Sequence, residues 1–66
     1  MGLKIREIRK EKRMSQDELA SKSGVSRTII SRLETGEQDN ATMKTLAKLA
    51  TALDVQVQDL FFDELV

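Results

Sequence analysis

The stretch Ser26 to Gly36, SRTIISRLETG, holds two arginines and a threonine at a spacing that lets one face of a helix donate hydrogen bonds. At about 100° per residue, with Ile30 set at 0°, Leu33 falls near −60°, whereas Thr28 and Arg32 fall near 160° and −160°. The apolar pair and the polar pair point in opposite directions. An arginine can grip the O6 and N7 of guanine with two parallel hydrogen bonds. A threonine can offer its hydroxyl or set its methyl against that of thymine, and a good bidentate pair discriminates between bases by about 1–3 kcal/mol. Arg27, in the first turn, can reach either a base or a phosphate. Ile29, near −100°, sits on the border, and partial burial beneath the following loop is expected, with a thymine-methyl contact as the alternative. On an arbitrary helix the same arginines would be solvated surface.

Other chemistry is poorly supplied. There is no Cys, His or Tyr among the 66 residues, which removes disulfides, the usual zinc sites and a thiol or imidazole nucleophile or base. The carboxylates fall on exposed faces with nothing to assist them, so neither an enzyme, a metal site nor a cofactor is expected. No apolar run approaches the roughly 18 residues of a spanning helix, and Arg6 stands where a myristoylation signal would want Ser or Thr. A soluble cytoplasmic chain is expected. Net charge is zero, but its distribution is not even: nine basic residues face five acidic ones up to Gly36, a net +4, and two face six beyond it, a net −4. A basic first half can mark a nucleic-acid face.

The elements that must position these residues are helical almost throughout. The chain has no Pro, low-complexity tract, linker or repeat, and residues 1–66 are expected to form one compact unit. Helix 1 is predicted from about Leu3 to Lys12 with Ile5 and Ile8 inward, Arg9 and Lys12 beside them, and Met14 closing its end. SQDE, Ser15 to Glu18, is a capping box opening helix 2 at Gln16. That helix carries Leu19 and Ala20 inward and stops at Gly24. Ser26 caps helix 3, which runs through Glu34 with Ile30 and Leu33 inward and Gly36 as terminator. Thr42 or Asn40 caps helix 4, striped by Leu46, Leu49, Ala50 and Leu53. A short helix 5 is predicted from about Val57 to Phe62, with Leu60 and Phe61 completing the core alongside Val55 and Val57. Two helices joined through only Gly24 and Val25 form a helix-turn-helix, whose second helix can enter a DNA groove. Gln16 and the free amides at the start of helix 2 present a partial positive end to phosphate.

Through IREIRKEKRMSQDELASKSGVSRTIISRLETG and TLAKLATALDVQVQDLF the sequence resembles the phage-repressor and Cro-like helix-turn-helix family, also called XRE-like. The resemblance spans about Ile5 to Phe61. It implies an all-α, compact five-helix lambda-repressor-like DNA-binding domain. It further implies a homodimer on a near-palindromic operator in double-stranded DNA and transcriptional regulation. Carried over position by position, the base readers are Ser26, Arg27, Thr28, Ser31 and Arg32, Gln16 meets the DNA backbone, and Arg9 pairs with Glu34. Three departures stand out. The loop GEQDNAT is acidic where relatives are often basic, leaving Gln38, Asn40 and Thr42 to donate neutral hydrogen bonds to phosphate. Ser23 replaces an apolar residue, and its hydroxyl is expected to bond back to a helix 2 carbonyl. Arg13 and Asp54 stand at helix ends where Gly is frequent, at a cost on the order of 1 kcal/mol each if left-handed.

Phe62, Leu65 and Val66 are expected either to fray or to form a homodimer seam that sets two helices 3 about 34 Å apart. A protein-interaction module, such as an antitoxin or adaptor engaging a partner through its acidic half, is the alternative function. Operator sequence, effector and regulated genes are not legible.

Overall fold

Three of the four α-helices in the structure, a computed structural model describing residues 3–38 and 41–61, begin on a hydroxyl. Ser15 caps α2 (Gln16–Ser23), accepting from the Glu18 amide at 3.0 Å while the Glu18 carboxylate accepts from the Ser15 amide at 3.2 Å. Ser26 caps α3 (Arg27–Thr35) through the Ile29 amide, and Thr42 caps α4 (Met43–Leu53) through the Thr45 amide. Each cap satisfies an amide that the first turn leaves without a helical partner. The first helix, α1 (Ile5–Glu11), starts two residues later than predicted, because Leu3 forms an antiparallel bridge with Phe61 and the Lys4 amide donates to the Leu60 carbonyl at 2.6 Å.

Helix ends are equally local. At α1 the Met14 amide donates to the Arg9 carbonyl and the Arg13 amide to that of Lys10, both at 3.0 Å. This pairing needs a left-handed residue between helix and chain, and Arg13 supplies it at φ 55°. At α4 Asp54 does the same at φ 60°, with Val55 donating to Ala50 and Asp54 to Thr51. The turn from α2 to α3 uses Gly24 at φ 75°, where a Cβ would meet nothing within 4 Å, so conformation and not space calls for glycine. The Ser23 hydroxyl accepts from the Val25 amide at 3.1 Å, so the contact it makes runs forward into the turn where a bond back to an α2 carbonyl was expected.

The expected five-helix architecture is corrected to four. After Asp54 reverses the chain, a single 3-10 turn over Val57–Leu60 replaces helix 5, held by the Asp59 carboxylate accepting from the Gln56 amide at 2.9 Å. Phe61 is already extended, at φ −100° and ψ 143°, because its backbone meets Leu3. One turn suffices to drive Leu60 to 0% exposure. Phe62, Leu65 and Val66 lie outside the described residues, as does Asn40.

Around a core of Ile5, Ile8, Leu19, Ile30, Leu33, Leu46, Leu49, Leu53 and Leu60, α2 packs on α3 and α4, and α1 on the same pair. Val25, assigned only to a turn by sequence, is also buried, while Ala20, Val55, Val57 and Phe61 are partly buried against this core. Among the described residues no helix is long and apolar enough to cross a membrane.

A largely buried charged pair crosses this framework. Arg9 on α1 donates from Nε to Glu34 Oε2 at 2.8 Å and from Nη2 to Oε1 at 3.1 Å, with side chains 11% and 3% exposed. Its Nη1 donates to the Met14 carbonyl at 2.8 Å. The bonds to Glu34 hold the guanidinium above its ordinary pKa against the opposing effect of burial.

Two outcomes follow for stability, read by thermal and denaturant melts. Glu34→Ala leaves Arg9 withdrawn from water without its partner and should cost about 3–5 kcal/mol, whereas replacing both by apolar residues of similar size should cost far less. Arg13→Gly should stabilise the fold by about 1 kcal/mol, raising Tm by several degrees, and Asp54→Gly should give a smaller gain because Asp tolerates the left-handed region better than Arg.

Candidate nucleic-acid interface

Burial of Ile30 and Leu33, at 0% and 3% exposure, fixes the rotation of α3 and turns Arg27, Thr28 and Arg32 outward. Ser31 is half-buried beside them. Four of the five sequence-predicted readers, Arg27, Thr28, Ser31 and Arg32, line one open groove together with Gln16 and Glu37. The fifth, Ser26, is exposed at the start of α3, where its oxygen is engaged as the helix cap.

Gln16 stands where the core network meets this groove. Its Nε2 donates to Glu34 Oε1 at 3.0 Å, and its Oε1 accepts from Arg27 Nε at 3.4 Å. The two contacts fix which way the amide faces, since only the nitrogen can donate to a carboxylate. One Nε2 hydrogen remains for an outside acceptor. Arg27 is held again at its tip, with Nη1 3.2 Å from Asp17 Oδ1, and Arg32 Nε lies 3.9 Å from Glu37 Oε2. Sequence reasoning missed the Asp17 contact. Its signal was the short turn itself, which lays the first turn of α2 beside the first turn of α3.

Gln38 and Thr42 gather on a second surface with Ile29, Ala41 and Thr45. Ile29 is partly buried there, beside the residues of the following loop. The Thr42 hydroxyl donates to Thr45 Oγ1 at 3.0 Å and accepts from the Thr45 amide at 3.1 Å, so its hydrogen is already directed inward. The arrangement as a whole offers N–H and O–H donors on the exposed side of α3.

A profile of the family described as helix-turn-helix matches residues 5–60. The HTH-type transcriptional regulator SinR of Bacillus subtilis (strain 168) is 40% identical over 60 residues, which cover 91% of this chain and 54% of SinR. The chain therefore spans about half the length of that relative. Among solved structures, the restriction-modification controller protein C.AhdI from Aeromonas hydrophila matches with a TM-score of 0.82 at 40% identity, over 88% of this chain and 86% of that one. SinR, described as the master regulator for biofilm formation and solved in complex with DNA, matches with a TM-score of 0.81 at 40% identity, over 83% and 87% of the two chains. The chain belongs to the helix-turn-helix family that its sequence resembles, the phage-repressor and Cro-like, or XRE-like, proteins.

Proposed function

We propose that this chain is a sequence-specific regulator of transcription that lays α3 in the major groove of double-stranded DNA. The observation that carries the reading is the two-sidedness of α3: Ile30 and Leu33 are buried, and Arg27, Thr28, Ser31 and Arg32 line one open groove on the opposite side. Two of those side chains can grip guanine bidentately, and the hydroxyls can meet any base. Ser26 adds a hydroxyl at the entry to the groove. Gln16, its amide oriented by Glu34 and Arg27, donates its remaining hydrogen to phosphate. Gln38, Asn40 and Thr42 meet the backbone through the loop and the amides that open α4.

The relatives support this reading, since one is a transcriptional regulator and its solved structure is a complex with DNA. The functional form is a homodimer on a near-palindromic operator, the two copies of α3 lying about 34 Å apart. Phe62, Leu65 and Val66 are assigned to the seam between copies, as apolar residues in an otherwise acidic stretch that follows the last core residues. The protein acts on DNA in the cytoplasm.

Selection of duplexes from a random pool should return a near-palindrome with half-sites one helical turn apart. Replacing Arg27 and Arg32 together by Ala should weaken binding to that duplex by at least about 100-fold while the melt is unchanged, each arginine carrying about 1–3 kcal/mol of base discrimination. Unaltered operator binding by the double variant would falsify the assignment of α3 as the reading element.

A further inference from the structure

Each reading arginine has a carboxylate beside it: Asp17 for Arg27 at 3.2 Å and Glu37 for Arg32 at 3.9 Å. The four side chains keep 62%, 75%, 53% and 69% of their exposure, so these pairs contribute little to stability. Their placement is the informative feature. Glu37 lines the same groove as both arginines, and Asp17 sits in the first turn of α2 next to Gln16, which lines it too.

Two properties of arginine separate at such a position. Sequence-independent attraction to DNA grows with the number of phosphates neutralised, and therefore with net positive charge. Base discrimination depends instead on where the N–H donors point. A carboxylate alongside a guanidinium cancels its charge but occupies few of its five donors. Arg27 directs Nη1 toward Asp17 and Nε toward Gln16, leaving three of the five, and guanine needs two. Glu37, at 3.9 Å, lies beyond hydrogen-bond distance and leaves all five on Arg32.

Resting on the DNA-binding function proposed above, we infer that Asp17 and Glu37 are specificity-determining residues. They suppress the attraction of the reading face for phosphate in general while leaving Arg27 and Arg32 able to read bases. On an operator the guanidinium is engaged with a base edge. On any other sequence it has only phosphates to meet, with a carboxylate competing for it, so the acids weaken wrong complexes more than the right one.

The test compares the native chain with Asp17→Asn and Glu37→Gln, by fluorescence anisotropy, on a random-sequence duplex and on the duplex that the native chain selects from a random pool. Both positions are exposed, and the substitutions should leave the melt nearly unchanged. Each should raise affinity for the random duplex about fivefold at 0.15 M salt and steepen the salt slope by about 0.9, as one more counterion is released. Operator affinity should change less than about twofold, so the operator-to-random ratio falls. Asp54→Asn is the control for net charge, since it removes the same charge at the far end of α4 from Thr42, about 18 Å along the helix. An equal gain on both duplexes, or the same loss of ratio from Asp54→Asn, overturns the inference. A native chain that selects no duplex overturns the DNA-binding function itself, a result distinct from a selected operator with an unaltered ratio.

Discussion

Glu34, in the last turn of α3, carries a carboxylate that keeps only 3% of its side-chain exposure. A charge withdrawn this far from water is costly unless donors surround it. Three do: Arg9 Nε and Nη2 from α1, and Gln16 Nε2 from α2. Satisfying one carboxylate therefore fixes three helices relative to one another, and Arg9 extends the tie to the end of α1 through the Met14 carbonyl. Apolar packing alone tolerates small rotations of a helix, because it has no direction. The fork of the guanidinium does not, because its planar donors match a carboxylate in one orientation.

That constraint passes directly to the exposed face. Gln16 spends one hydrogen on Glu34 and offers its oxygen to Arg27, so the side chain nearest the start of α3 is oriented from inside the protein. Ile30 and Leu33 set the rotation of α3 from below, and Ile29, partly buried toward Ala41 and Thr45, steadies its side. The residues pointing outward thus inherit part of their geometry from buried and half-buried contacts beneath them. This is the physical sense of a helix that is apolar over more than one narrow stripe: the extra isoleucine widens the base on which the exposed face of α3 stands.

Much of this was legible in the sequence because it is written in short spacings. Ser15 with Glu18, Ser26 three residues before Ile29, and Gly24 and Gly36 each act within one turn of helix, and the pattern of Leu46, Leu49, Ala50 and Leu53 repeats every turn. Arg13 and Asp54 stand out as helix-end positions where Gly is frequent, and both are left-handed, a conformation the sequence raised only as a condition. What escaped depends on pairings distant along the chain. Phe61 leaves the helical pattern because Leu3, at the other end of the sequence, meets its backbone, and this shortened the last element to one turn. Val25 reads as a turn residue and becomes core only once α2 and α3 enclose it. For Thr42 the sequence showed a free hydroxyl, whereas Thr45 takes its hydrogen. No short spacing singles out Asp17, which meets Arg27 only because the turn between α2 and α3 brings the two together.

A chain of zero net charge is poorly equipped to hold DNA by attraction alone, since phosphate neutralisation supplies most sequence-independent affinity. Binding must then draw on contacts whose geometry is prepared in advance, because each side chain ordered only on association subtracts from the free energy gained. The low charge and the Glu34 network are in this respect complementary. A flexible reading face with balanced charges would bind little, and a rigid one with excess positive charge would bind too widely. Arg27 joins the two features in one side chain, braced from the core through Gln16 and balanced at its tip by Asp17.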